Sequence, residues 1–351
     1  MTVPQSSSKD APSPPETVLV TGGSGFLASH VVRELLRQGY SVRVTVRSEA
    51  MVKKVLQAHA PDSQRLSYVL VPDMTVPGAY DTAVQGVTGV FHISSPYTFT
   101  TTDNANDLLI PAISGTRGIL QSIKKHGPDV KRVVLTSSGA AMIDPIRGFD
   151  RDHLYTEDDW AKTTWDEAVK GSGVVGYVAS KQFAERTAWD FMENEQPSFD
   201  LVAICPPMIF GPIIIPTSDI SANPSLASVY ELMDAKLESP GETPFPFCVD
   251  VRDAAKAHVR AYETAIASNQ RYLTVSSTYS QQQFVDIMRK HFPSLEGRLP
   301  AGRTEEGEAA GGDNRKSIRD LGFAPRGLEE MVVDTVNRLL EIENIGHRTI
   351  R

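Results

Sequence analysis

The stretch Val20–His30 reads "VTGGSGFLASH", and its flanks decide its meaning. Before it lies the short β-branched run "TVLVT", Thr17–Thr21. After it, apolar residues recur at helical spacing through "GFLASHVVRELLRQG" to a stop at Gly39. A strand therefore turns into a helix through Gly22, Gly23 and Gly25, with Ala28 in a further small-residue slot. Glycines permit the tight turn and let backbone approach a pyrophosphate at the helix N-terminus, where amides and the helix dipole favour anions. Gly-rich turns are common, but a strand before and an amphipathic helix after are the context that makes this one a dinucleotide site. Gly22, Gly25 and the first helical residues, Phe26 and Leu27, are the candidate contacts.

The same alternation continues downstream. "SVRVTV" (41–46), "LSYVLV" (66–71), "GVFHIS" (89–94), "VKRVVLTSS" (130–138) and "FDLVAICPP" (199–207) read as strands. Helical patterns fall between them over Glu49–Ala58, Tyr80–Gln85, Asp107–Lys125 and the segment around Tyr177. Hydrophobic strands alternating with helices predict an α/β fold, a Rossmann-type doubly wound parallel sheet covered on both faces. After Pro206 the chain becomes Pro-rich and irregular. Helices are expected there near Leu226–Leu237, Arg252–Ala267, Gln281–Lys290 and Leu328–Glu343, with one more parallel strand at "RYLTVSS" (271–277) and a polar, Gly-rich loop at "RTEEGEAAGGDN" (303–314). The predicted organisation is a disordered tail over 1–15 and a dinucleotide-binding domain over 16–206, with returning segments near 248–275. A smaller substrate-binding cap is built from 207–247 and 276–351.

The tip of the second strand selects the dinucleotide. An NAD site places an acid there for the ribose 2′-hydroxyl, whereas Arg accommodates a 2′-phosphate. Here the strand ends "VRVTVRSEAMVKK", giving Arg47, then Lys53 and Lys54 in the next helix. NADPH/NADP+ is the expected cofactor. Arg43 alternates in phase with Arg47 and either joins it or lies solvated.

Two further features point to chemistry. The fifth strand ends with Ser137 and Ser138 at the carboxyl edge of the sheet, which faces the ligand crevice of such folds. In "SGVVGYVASKQFAERTAW", Tyr177 and Lys181 stand at i and i+4, so a helix sets an ammonium beside a phenol.

The 351 residues carry a net charge of −8, which argues against nucleic acid or an anionic membrane as partner. Cys205 and Cys248 show no metal-ligand spacing and read as buried thiols of a reducing compartment. No apolar run approaches the ~18 residues of a membrane span, and the Ser/Pro-rich start lacks a signal-peptide core. A cytoplasmic protein, monomer or homodimer, is expected.

The chain resembles an extended short-chain dehydrogenase/reductase. Its nearest likeness is the branch of dihydroflavonol reductases, cinnamoyl-CoA reductases and fungal NADPH-dependent aldehyde and ketone reductases. The blocks "VTGGSGFLASHVVRELLRQGYSVRVTVRS", "GVTGVFHISSP", "VKRVVLTSS", "YVASKQFAERTAW" and "FCVDVRDAAKAHVRA" carry the likeness in order, from Thr17 to about Glu343. The resemblance implies Tyr177 as acid/base, Lys181 as its partner and ribose ligand, and Ser138 as the hydroxyl that holds the substrate carbonyl. It implies Arg47 and Lys54 at the 2′-phosphate, Asp73 and Met74 beside the adenine, Ile93, Ser94 and Ser95 along the fourth strand's edge, and Pro206–Met208 around the nicotinamide. A nearby ammonium lowers a phenol's pKa from about 10 toward a useful value. Two departures bear on substrate. "VVGYVASK" replaces the longer aromatic motif of the lignin enzymes, and Ile143 and Asp144 stand where flavonoid reductases carry Asn. The fungal aldehyde and ketone reductases fit better.

The expected function is therefore NADPH-dependent reduction of an aldehyde or ketone of a small, largely apolar substrate. Tyr97, Phe99, Ile143, Met208, Ile209 and Phe210 either line its pocket or belong to the core. The competing readings are an NAD-dependent nucleotide-sugar epimerase or dehydratase, disfavoured by Arg47, and a nonenzymatic dinucleotide sensor, disfavoured by the retained Tyr/Lys pair. His30, His92 and His258 show no metal spacing and read as packed, and Asp250 with Asp253 reads as a helix-cap pair.

Overall fold

In the computed structural model the described residues are 16–349, except 97–100, 216, 218–219, 221–222, 235–236, 305–306 and 323. The expected tail over 1–15 and the pocket candidates Tyr97 and Phe99 lie outside the described residues.

The β-branched runs pair into a seven-stranded parallel sheet in the spatial order β3-β2-β1-β4-β5-β6-β9. Its strands are β1 (Thr17–Val20), β2 (Ser41–Val46), β3 (Leu66–Leu70), β4 (Gly89–His92), β5 (Arg132–Thr136), β6 (Asp200–Cys205) and, from much later in the chain, β9 (Arg271–Leu273). The chain builds outward from β1 to β3, then returns to lay β4 against the other side of β1, with Val18 opposite Gly89. This reversal opens a crevice at the carboxyl ends of β1 and β4, where such sheets bind ligands.

Both faces are covered, as near-continuous apolar strands require. Against one face pack α1 (Phe26–Arg37) and α7 (Val251–Glu263), burying Val31, Leu35, Val259 and their neighbours. Against the other pack α3 (Ile110–His126) and α5 (Gly173–Glu195), with Ile119, Leu120 and Ala188 meeting Leu19, Val133 and Leu201. α2 (Glu49–Ala58) and the short α4 (Trp165–Lys170), closed by a Thr164–Glu167 capping box, complete this half.

The remaining elements form a second, smaller layer. A three-stranded sheet joins β7 (Met208–Phe210), β8 (Phe247–Asp250) and β10 (Ser277–Thr278), with β8 in the centre. Around it lie α6 (Pro224–Glu231), α8 (Gln281–His291) and α10 (Leu328–Thr349), whereas α9 (Arg315–Leu321) packs on α7 and β9 of the large sheet. Phe210, Leu226, Phe284, Met288 and Val336 make its core. Among the described residues no helix is long and apolar enough to cross a membrane.

Three expectations need correction. Tyr80–Gln85 forms consecutive turns, not a helix, between the positive-φ residues Gly78 and Gly86, and the Arg43 guanidinium answers the carbonyls of Ala83 and Gln85. The helix expected over Leu226–Leu237 ends at Glu231. That expected over Arg252–Ala267 ends at Glu263, where Thr264 turns extended before one 3-10 turn.

Candidate active site

The glycine turn is shaped by what surrounds it. Thr21 follows β1 with its amide on the Phe91 carbonyl at 2.9 Å, and its Oγ1 accepts the amides of Ile93 and Ser94 at 2.9 and 3.0 Å. The tips of β1 and β4 are thereby locked together. Gly22 has φ +67°, and a Cβ there would lie 3.1 Å from the Ser94 Cβ. One on Gly23 would lie 2.6 Å from the Val44 Cβ. Only glycine brings backbone this close. Gly25 then precedes α1 without a side-chain cap, and no acid occupies the first turn, so the positive end of the helix is left for an anion.

A cavity of about 780 Å3 runs from this turn along the sheet's carboxyl edge. At one end lie Arg47, Ser48, Met51 and Lys54; midway come Gly22, Gly25, Phe26, Leu27, Met74, Ile93, Ser94 and Ser95. At the other end stand Ser138, Ile143, Tyr177, Lys181, Pro206 and Met208. Arg47, Lys54 and Lys181 are the cations among its described lining residues, and no acid is among them. The glycine cradle, the open helix end and this charge pattern fit an elongated dinucleotide bearing phosphates at the turn and beyond strand two.

The far end brings three hydroxyl and amine groups together. Ser138, extended at φ −160° and ψ 150°, caps a 3-10 turn over Gly139–Met142, its Oγ accepting the Ala140 amide at 3.1 Å. Ser172 caps α5, its hydroxyl accepting the Val175 amide, and Asn104 clamps that start by donating to the carbonyls of Ala168, Gly171 and Ser172. One turn in, the Lys181 Nζ sits 5.1 Å from the Tyr177 ring centroid. It donates to Ser95 Oγ at 2.7 Å and approaches the Pro96 carbonyl at 3.5 Å. Burial lowers the Lys181 ammonium to about 8.

Not every candidate lies on this wall. Asp73 is exposed and is not among the lining residues; its carboxylate accepts the Thr75 amide and hydroxyl at 2.8 and 2.6 Å, which holds its pKa down. Its neighbour Met74 does line the cavity, its methyl lying where a Cβ on Gly115 would stand. Phe210 is also corrected: it is buried in the smaller layer, its ring packed against Tyr279 and Phe284, and it is not on the cavity wall. Ile143, Met208 and Ile209 remain on the wall.

The structure adds residues that the sequence did not single out. Thr45 lines the cavity and accepts the Gly22 amide at 3.0 Å. Tyr80 reaches Ser94 Oγ at 3.1 Å. Phe245 and Phe247, from the Pro-rich "TPFPF" run, wall the end near Ser138, and aromatics between prolines were the available signal. The histidines are packed: His30 on the Pro212 carbonyl, His92 on Thr21, and His258 between Thr136 and the Ala254 carbonyl. Asp250 caps α7, but Asp253 instead pairs with Arg326. Both cysteines are buried and free, their thiols pushed up to about 12 by burial. Among the described residues no group of three His, Cys, Asp or Glu could hold a metal ion.

Residues 18–273 match the model of the NAD dependent epimerase/dehydratase family. The chain belongs to that family, within the extended short-chain dehydrogenases/reductases. It is 42% identical to the ketoreductase azaE of Aspergillus niger, over 92% of this chain and 97% of that protein. It is 36% identical to the NADPH-dependent methylglyoxal reductase GRE2 of Saccharomyces cerevisiae, over 93% of this chain and 99% of the other. Among solved structures, the yeast methylglyoxal/isovaleraldehyde reductase Gre2 complexed with NADPH superposes with a TM-score of 0.85 at 34% identity, covering 93% and 99% of the two chains.

Proposed function

We infer that Ser138, Tyr177 and Lys181 act together as the catalytic set of this chain. It is an NADPH-dependent oxidoreductase of the short-chain dehydrogenase/reductase class, reducing an aldehyde or ketone carbonyl. The observation that carries the reading is the Tyr177–Lys181 pair beside Ser138 at one end of a cavity whose other end is basic. Relatives named as NADPH-dependent methylglyoxal reductase and ketoreductase support the same class.

NADPH, when bound, supplies the hydride. Arg47 and Lys54 hold the 2′-phosphate, and the Gly22–Gly25 turn with the first turn of α1 holds the pyrophosphate. Lys181 fixes the ribose and keeps positive charge beside the Tyr177 phenol. Ser138 donates its hydroxyl hydrogen to the carbonyl oxygen, leaving the Ala140 amide on its lone pair. Tyr177 gives its proton to the oxygen as negative charge develops there.

Around the reacting carbonyl the wall is Ile143, Met208, Phe245 and Phe247, and among the described residues at that end the charge is Lys181. The substrate is a small carbonyl compound with an apolar substituent. Residues 16–206 with 248–275 serve as the dinucleotide-binding body, and 207–247 with 276–351 as the cap. The site is built from one chain, so a monomer or a homodimer suffices. We place the enzyme in the cytoplasm, where its two unpaired cysteines stay reduced.

The test is NADPH oxidation against a panel of aldehydes, α-dicarbonyls, β-keto esters, flavonoid ketones and nucleotide sugars. Turnover of apolar carbonyls with NADPH is expected. A nucleotide sugar as best substrate, with NAD retained through purification, would establish the epimerase reading instead.

A further inference from the structure

Glu185 is a buried charged group that the mechanism leaves unused. Glu185 lies on α5 one turn beyond Lys181 and two beyond Tyr177, on the same face of the helix. Its side chain is fully buried, and its carboxylate accepts from four residues, three of them outside α5. Ser137 Oγ donates at 2.5 Å, Arg271 Nε and Nη2 at 2.7 and 3.0 Å, and Trp189 Nε1 at 3.2 Å, while the Cys205 thiol lies at 4.0 Å. Arg271, at the start of β9, spends its remaining Nη1 on the carbonyls of Glu157 and Asp159. Its guanidinium stacks 3.9 Å over Trp160, whose ring Arg186 approaches at 3.8 Å.

A buried ion pair is a weak source of stability, since well-packed apolar residues of similar volume serve as well or better. Its bidentate geometry does fix distances and orientation. Here the two ends of the fixed arrangement are the helix that carries Tyr177 and Lys181 and the strand end that carries Ser138. Ser137 donates its amide to the Ile204 carbonyl and Ser138 follows it in extended conformation, and successive side chains of an extended chain point apart. Holding the Ser137 hydroxyl in the buried carboxylate turns Ser138 toward the cavity. The same anchor sets the distance between Ser138 and Tyr177.

We propose that Glu185 and Arg271 are positioning residues for the catalytic set: their buried pair fastens Ser137 to α5, and so selects Ser138 as the serine that meets the carbonyl. This rests on the assignment of Ser138, Tyr177 and Lys181 as that set.

The test compares Glu185→Gln, Arg271→Lys, Ser137→Ala and the double variant Glu185→Leu with Arg271→Met, using NADPH affinity, kcat, KM and melting temperature. Arg271→Lys keeps charge without the fork. Each variant should lose about tenfold or more in kcat, because small misplacements of reacting groups are costly. NADPH affinity should stay within about twofold of wild type, since the residues that hold the 2′-phosphate and pyrophosphate are remote from the pair. The double variant should regain melting temperature relative to Glu185→Gln yet remain slow, which a purely structural pair would not do. Wild-type kcat in the double variant overturns the proposal. Should the double variant fail to fold, wild-type kcat in Ser137→Ala overturns it. Tyr177→Phe, run alongside, separates the two levels. If Tyr177→Phe is active, the catalytic set itself is wrong; if it is inactive while the double variant is fast, only the positioning role fails.

Discussion

Lys181 places its ammonium 5.1 Å from the centre of the Tyr177 ring while donating to Ser95 Oγ, so a residue of α5 ties the acid/base candidate to the edge of β4. The helix supplies the spacing, and the bond to Ser95 supplies the direction. Tyr177 thus meets a charge whose position is fixed from two sides.

Tyr177→Phe removes only the ionisable hydroxyl. It should keep the fold and NADPH affinity and lose about 10²–10⁴-fold in kcat, the usual contribution of proton transfer. Measuring both quantities on one preparation checks this; more than about a tenth of wild-type kcat would rule out the acid/base role.

Arg47 and Lys54 stand at the tip of β2 and in α2, where the cavity opens. A charge-assisted hydrogen bond is worth roughly 1.5–3 kcal/mol, so Arg47→Ala should weaken NADPH by about ten- to a hundredfold. NADH lacks the phosphate and should be nearly unaffected. The wild-type preference collapses because NADPH gets worse. Comparing kcat/KM for both dinucleotides in wild type and variant is decisive, and an unchanged ratio counts against the assignment.

Burial has already lowered Lys181 to about 8 in the free protein. Its ammonium is present below that pH and lost above it. kcat/KM for NADPH, which reports the free enzyme, should fall as pH rises through about 8. Lys181→Met should be slow throughout and lose that inflection. A wild-type profile flat to pH 9.5 or so contradicts this assignment of the titrating group.

Acid stability follows from the packed histidines. Burial lowers His30, His59 and His258 to about 4 and His92 to about 3, against 6.5 when unexposed to such burial. Between those values the unfolded chain binds more protons than the folded one, so stability falls as pH drops from 6.5 toward 4. Melting temperature should be maintained above that window and decline within it. His30→Gln, which can still donate to the Pro212 carbonyl, should make the decline shallower. An identical slope in the variant would show that carboxylates dominate the transition.

The parts of the fold that were legible are those encoded by local periodicity. The glycine turn, α1 and the strand tip at Arg47 follow one another within a single βα unit, and Tyr177 and Lys181 share one helix. What escaped depends on partners far away in sequence. β7 is three residues between prolines and becomes a strand only by pairing Met208 with Cys248. Phe210 reads equally well as wall or core until Tyr279 and Phe284 arrive beside it. Glu185 carries no signal in the sequence, because the groups that meet its carboxylate, Ser137, Cys205 and Arg271, come from distant elements. Asp73 is bounded by its own neighbour, Thr75, whose hydroxyl competes for the carboxylate.

The late arrival of β9 constrains how the protein is made. When β6 leaves the ribosome its outer edge has no partner, and it stays open through the synthesis of β7, β8 and α7 until Arg271–Leu273 appear. Over the same interval Glu185 has no guanidinium to face. An open edge of apolar residues is an invitation to wrong pairing, and an unpaired buried carboxylate is a strong deterrent to closing the core. The nascent chain therefore completes its large sheet only after most of the smaller one has been synthesised.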